Sequence, residues 1–152
     1  MSEHAAAASV PAARSADLAA IRALLAASGL PSEDVTAGHL RYYWVHRDAA
    51  GIGGVVGIEP YGSVALLRSL AVREGVRARG LGSRLLAHAE SQAAALGVET
   101  LYLLTTTADR FFAARGYAAT PRDSTPPAIR ATREFAELCP ASSACMSKRL
   151  RS

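Results

Sequence analysis

The residues best suited to chemistry lie in one stretch, Arg77-Ala78-Arg79-Gly80-Leu81-Gly82-Ser83. An anion needs donors that no side chain screens, and Gly80 and Gly82 leave backbone N–H groups open. Arg77 and Arg79 add charge-assisted hydrogen bonds. An apolar run precedes the stretch and an amphipathic one follows it, so it joins a strand to the N-terminus of a helix. The dipole and the unpaired N–H groups at such an end both favour negative charge. A glycine-rich turn with incidental arginines is the plainer alternative, and the position between strand and helix is what argues for an anion site. Gly82 is not followed by Lys, so the loop is not a Walker loop. The third glycine of a dinucleotide fingerprint is also missing.

A second group of residues is suited to a substrate. Arg68 stands in the middle of an apolar run, Leu66-Leu67-Arg68-Ser69-Leu70. A charge there is costly unless it has a partner or opens on a cavity. Two readings stay open: a structural pair, with Glu59 as partner, or a planar clamp for an oxyanion. Glu59, just ahead of Pro60-Tyr61-Gly62, is either a solvated turn carboxylate or a general base. Tyr42, Tyr43 and Trp44 suit sheet packing and equally the wall of a pocket. Cys139 and Cys145 have no third thiol or nearby histidine to complete a metal or metalloid site, and read better as small buried hydrophobes. His4, His39, His46 and His88 show no metal-ligand spacing, and no metal is expected.

Positioning these residues takes an α/β framework. Residues 10–14 read as a short strand. Ser15 caps a helix with Leu18, Ile21, Leu24 and Leu25 on its apolar face and Gly29 as its stop. Residues 31–37 look like a second short helix. Residues 40–47 and 53–58 are strands joined by a turn over 48–51, and Pro60-Tyr61-Gly62 makes the next turn. Residues 63–72, 80–96 and 101–104 follow as strand, helix and strand, the rhythm of a βαβ unit. That helix turns Leu81, Leu85, Leu86, Ala89, Ala93 and Leu96 inward and ends at Gly97. Thr106 or Thr107 caps a helix through Ala114, Gly116 ends it and Tyr117 opens a strand. A helix over 128–138 and a strand over 144–150 complete the pattern.

The 152 residues are half apolar, enough for one domain to bury a core without disulfides or metal. Residues 1–9 read as a disordered arm and 10–152 as a single domain. The arm lacks the basic flank and apolar core of a signal peptide, and no apolar run approaches the roughly 20 residues that span a bilayer. Two cysteines fit a reducing cytosol. The formal charge of +4 comes from basic residues that are mostly scattered, with Arg77, Arg79 and Arg84 as the internal cluster. A nucleic-acid face needs a broader basic stripe, so neither nucleic acid nor membrane is expected as a partner.

Leu70-Ala71-Val72 followed by Arg77-Ala78-Arg79-Gly80-Leu81-Gly82 resembles the acetyl-CoA-binding core of the GNAT superfamily of N-acetyltransferases. Phe111-Phe112-Ala113-Ala114-Arg115-Gly116-Tyr117 resembles that superfamily's helix-to-strand signature, and the likeness runs over about residues 10–117. A narrower likeness involves Glu59-Pro60-Tyr61-Gly62, Leu66 to Leu70, Leu103-Leu104-Thr105-Thr106-Thr107 and Leu138-Cys139-Pro140. It is to a small GNAT family found among arsenic-resistance genes. The Leu-Thr-Thr segment is also similar to the acetyltransferase domain of N-acetylglutamate synthases.

The resemblance implies the GNAT acyl-CoA N-acyltransferase fold, an α/β mixed twisted sheet with helices on both faces and residues 63–72 parallel to 101–104. It implies a cytoplasmic N-acetyltransferase, monomer or homodimer, with acetyl-CoA as acyl donor. Leu70, Ala71 and Val72 would pair with the acetyl and pantetheine amides. Arg77, Ala78, Arg79, Gly80, Leu81, Gly82 and Ser83 would hold the pyrophosphate, with Phe112 also against the cofactor. A small anionic amine acceptor, amino-acid-like or an amino-arsenical, would meet Arg68, Glu59, Tyr42 and Thr105.

Direct attack of an amine on a thioester needs a neutral amine, close positioning and a donor for the oxyanion. Many GNAT enzymes carry a Tyr general acid where Phe112 stands, so no general acid is carried over. A thiol of pKa about 8.5 leaves tolerably without a proton. Leu66 stands where a Glu is frequent, which leaves Glu59 as the nearest base. These departures keep a second expectation open, a catalytically weak module that binds acetyl-CoA or an arsenical and regulates something else.

Overall fold

The computed structural model describes residues 10–75, 80–138 and 143–150. Arg77, Ala78 and Arg79 of the expected phosphate loop, Cys139 and the arm over 1–9 lie outside the described residues. The strands are β1 Tyr43–Asp48, β2 Gly51–Tyr61, β3 Val64–Val72, β4 Thr100–Thr105, β5 Ala118–Ala119 and β6 Ala144–Arg149. The α-helices are α1 Leu18–Ala27, α2 Leu81–Ala95, α3 Asp109–Ala113 and α4 Pro127–Arg130. One mixed six-stranded sheet runs in the order β1-β2-β3-β4-β6-β5. Its β1-β2-β3 portion is antiparallel, β3 and β4 are parallel as expected, and β6 is antiparallel to both β4 and β5.

The period-two alternation of the strands divides the core between the two faces of the sheet. Val56, Ile58, Ala65 and Leu67 meet Leu81, Leu85, Leu86, Ala89 and Ala93 of α2. Val55, Val45 and Tyr43 meet Ile21 and Leu25 of α1 instead. Leu66, next to Leu67 but pointing the other way, packs with Ile129, Phe135 and Cys145. Burying a Leu or Ile stabilises by about 1.5–3 kcal/mol, so these two layers fix where the strands lie.

Several local expectations are corrected. Residues 10–14 contribute a single bridge, Ala12 to Trp44, rather than a strand. Ser15 is not a cap: it opens a 3₁₀ turn over Ser15–Asp17 whose N-cap is Arg14, and Asp17 Oδ2 reaches back to accept from Arg14 N at 2.7 Å. Most of the expected second helix is not helical: residues 31–36 are irregular with a turn at Glu33 and Asp34, and a 3₁₀ helix follows over Ala37–Tyr42. That piece takes Tyr42 off the strand. Pro60 and Tyr61 belong to β2, because its pairing with β3 runs out to Tyr61 opposite Val64. Leu96 is 49% exposed, since the chain leaves the helix at that residue. Thr105, not Thr106 or Thr107, supplies the hydroxyl before α3, accepting from Ala108 N at 2.9 Å. The expected helix over 128–138 is split into α4 and a π-helical turn over Glu134–Leu138.

Candidate active site

Parallel pairing between β3 and β4 covers only Val64, Ala65 and Leu66 opposite Thr100, Leu101 and Tyr102. Beyond it a bulge bends β3: Gly57 faces Arg68 and Val55 faces Ala71, so Ser69 and Leu70 together oppose Val56. Ser69 sits at φ +63°, a left-handed conformation rare for a residue with a Cβ. Such a residue costs of order 1–3 kcal/mol and needs support. Tyr43 supplies it: its hydroxyl and Ser69 Oγ are hydrogen-bonded at 2.7 Å. Its ring lies so close over Gly57 that a Cβ there would come within 2.2 Å. The splayed strands open a cavity of about 910 Å³, lined by both Leu67 to Val72 and Leu103 to Thr107.

One end of this cavity gathers groups that suit an anion. Gly80, at φ +72°, is the N-cap of α2, and Gly80, Gly82 and Ser83 line the cavity. Arg115 reaches the same place from beyond α3, donating from Nε and Nη2 to Ser83 Oγ at 2.9 and 2.6 Å. Its Nη1 donates to Phe111 O at 2.8 Å, and the guanidinium lies 3.7 Å from the centre of the Phe111 ring. A fixed guanidinium beside a helix N-terminus attracts phosphate oxygens through charge and N–H donors together. The sequence flagged Arg115 only as part of a signature. Its i,i+4 spacing from Phe111 was the available sign of a stacked pair.

Leu70, Ala71, Val72, Phe112 and Thr105 also line the cavity. Phe112 is 7% exposed and meets Phe111 and Tyr117 edge-on, so no hydroxyl stands at its position. Leu81, by contrast, points into the core under α2. Tyr42 lies beneath Arg41, packs against the core on the α2 side and does not line the cavity.

The other end is built on Arg68, whose side chain is fully buried. Nη1 and Nη2 grip Asp34 at 2.6 and 2.7 Å in a bidentate pair, and Nη1 also donates to Glu59 at 2.7 Å. Nε lies 3.3 Å from both Ser69 Oγ and Glu134 Oε1. Glu59 also accepts from the Tyr61 hydroxyl at 2.7 Å. Arg68 and Glu134 line the cavity, whereas Glu59 and Asp34 do not. Burial pushes the Asp34 carboxyl up, but its bonds from Arg68 outweigh that and hold it below the ordinary carboxylate range. Burial dominates at Glu134, which Arg68 only partly offsets, and its carboxyl is pushed up to about 7. Neither Asp34 nor Glu134 was singled out in the sequence. They lie 34 and 66 residues from Arg68, and no local pattern joins them.

No helix among the described residues is long and apolar enough to cross a membrane. The fold is similar to that of N-acetylglutamate synthase from Neisseria gonorrhoeae, solved with coenzyme A and N-acetyl-glutamate, at a TM-score of 0.82 and 24% identity. That match covers 95% of this chain and 35% of the synthase, so the chain spans about a third of that protein's length. Rv2747 from Mycobacterium tuberculosis, solved with CoA, matches at 0.79 and 18% identity over 94% of this chain and 99% of its own. Ard1 from Thermoplasma volcanium matches at 0.69 and 17% identity over 95% and 98%. At these identities the likeness establishes the fold. The family model for the acetyltransferase (GNAT) domain matches residues 39–119, more than half of the sequence. The chain therefore belongs to the GNAT acetyltransferase family.

Proposed function

We propose that the protein transfers the acetyl group of acetyl-CoA directly to the amine of a small, amino-acid-like acceptor. The observation that carries this reading is a single cavity whose two ends differ in chemistry. The end at Gly80, Gly82, Ser83 and Arg115 suits the phosphates of the donor. The end at Arg68 and Glu134 gathers carboxylates, which suit an ammonium. The backbone of Leu70 to Val72 lies between them along β3, where it supplies an N–H donor to the thioester oxygen.

Arg68 attracts an anionic group of the acceptor through its charge at the cavity wall, its donors being committed among the described residues to Asp34, Glu59, Ser69 and Glu134. Glu59, engaged by Arg68 and Tyr61, holds that guanidinium in place. The fold neighbour that holds N-acetyl-glutamate supports an acceptor of amino-acid size. Amino-arsenicals, suggested by the narrower sequence likeness, belong to the same class of small anionic amines.

The test is a thiol-release screen with acetyl-CoA against the twenty α-amino acids, amino-phosphonates and amino-arsenicals. Turnover with one of these acidic amines, and none with alkylamines of equal size, is expected. Tight acetyl-CoA binding with no thiol release from any of them would favour a regulatory module instead.

A further inference from the structure

Two buried polar side chains on the cavity wall, Glu134 and Ser143, stand apart from the tight pairs of the Arg68 cluster. Glu134 is 4% exposed as a residue, lines the cavity, and has Arg68 Nε at 3.3 Å as its one ionic partner among the described residues. Ser143, 5% exposed, lines the same cavity, and its Oγ is buried with no hydrogen-bond partner among the described residues. A buried hydroxyl without a partner costs about 1–3 kcal/mol and is a feature that a bound ligand relieves. Glu134 sits on the π-helical turn Glu134–Leu138, a local departure from α-geometry of the kind frequent at functional sites.

We infer that Glu134 takes the proton from the acceptor's ammonium, with the Ser143 hydroxyl holding the nitrogen. This deepens the function proposed above and rests on it. Glu134 in its ionised form removes one proton from R–NH₃⁺, and the freed lone pair forms the C–N bond with the thioester carbon. Collapse of the tetrahedral adduct breaks the C–S bond, and the second nitrogen proton leaves with the thiolate as CoA thiol. Glu134 then returns its proton to water.

The surroundings suit this task. Arg68, Asp34, Glu59 and the Tyr43 hydroxyl act on Glu134 or are acted on by it. The Tyr61 hydroxyl and, at 3.8 Å, His39 Nε2 face Glu59, and Glu33 lies on the cavity lining. Burial is the main cause of the raised proton affinity of Glu134; Arg68 partly offsets it, and the charges of Asp34 and Glu59 add to it. A carboxyl poised near 7 accepts a proton at cellular pH without holding it.

The experiment measures kcat/KM from pH 6 to 9.5 for wild type, Glu134→Gln, Glu134→Asp and Ser143→Ala, using every amine that turns over in the screen. Glu134→Gln is expected to lose roughly 100-fold or more at pH 6.5, and the loss is expected to shrink as the amine deprotonates itself. Glu134→Asp, which keeps a carboxyl if the Gln variant fails to fold, is expected to retain the wild-type pH profile at a lower kcat. Ser143→Ala is expected to raise the acceptor KM about tenfold. In parallel, the glutamate side-chain carboxyl ¹³C signal that disappears in Glu134→Gln is expected to titrate near pH 7 in the free enzyme. Wild-type turnover of none of these amines would overturn the function proposed above. Turnover with a Gln-to-wild-type ratio that does not change with pH would leave that function standing and overturn the role of Glu134. A Glu134 signal titrating in the ordinary carboxylate range, near about 4.3, would also overturn it.

Discussion

The two ends of the cavity hold charge by different means. At the proposed donor end, Gly80, Gly82 and Ser83 open α2 on the cavity, and Arg115 is pinned to Ser83 and Phe111. At the acceptor end, Arg68 is locked among Asp34, Glu59 and Glu134, carried by three segments far apart in sequence. In the function proposed above, the first end binds mainly through main chain and asks little of the fold. The second is part of the core, so its chemistry and its stability cannot be altered separately. What the contrast teaches is that one cavity can be fragile at one end and tolerant at the other.

The sharpest way to break the comparison is Arg68→Leu. It leaves three carboxylates around a buried void, and removing one partner of a buried ionic network costs about 3–5 kcal/mol. A fall of about 10 °C in melting temperature is expected, read by calorimetry or urea unfolding. A variant as stable as wild type would show that the carboxylates do not depend on Arg68.

Gly82→Glu is expected to do the reverse. A Cβ at Gly82 meets the Phe111 ring at 3.5 Å, ordinary contact, so the fold survives. The added carboxylate faces the phosphates, and acetyl-CoA affinity is expected to drop roughly 100-fold, about 2.7 kcal/mol. Acetyl-CoA should consequently stop raising the melting temperature. Arg115→Ala removes one charge from the same end, and a loss of about tenfold in acetyl-CoA affinity is expected, with acceptor KM unchanged.

The smallest effect is expected at a pair away from both ends. Arg47 donates to both oxygens of Asp17, which holds that carboxyl down at about 2. A depressed acid stabilises the fold above its unfolded value of 3.8, and that stability is lost as pH falls through about 2. Asp17→Asn is expected to cost about 1 kcal/mol at pH 7, with the difference fading in acid and kinetics unchanged. Glu134 has the opposite sign. Its raised carboxyl favours the fold below about 4.5, and that contribution is lost as pH rises through about 7. Glu134→Gln should therefore gain stability over wild type across that window, as followed by urea midpoints.

The glycine-rich end of the cavity was legible in the sequence because its determinants are local. Two glycines between a strand and an amphipathic helix carry the argument, and Gly80, Gly82 and Ser83 do line the cavity. The parallel β3 and β4 followed from the same βαβ rhythm. The acceptor end was legible only in Arg68, whose charge stands out within an apolar run. Asp34 lies in turns where a helix was expected, and Glu134 begins a π-helical turn inside a segment read as one helix. Both were hidden because tertiary packing, not spacing, brings them to Arg68. The bulge at Ser69 was equally hidden, since nothing local marks a serine for φ +63° until Tyr43 is placed over Gly57.

The account stands most directly on one titration, acetyl-CoA into wild type, Gly82→Glu and Glu134→Gln side by side. If the donor and the amine divide the cavity as described, Glu134→Gln binds acetyl-CoA within about twofold of wild type while Gly82→Glu binds roughly 100-fold more weakly. Equal weakening by both substitutions, or a Gly82→Glu protein that binds like wild type, would contradict it.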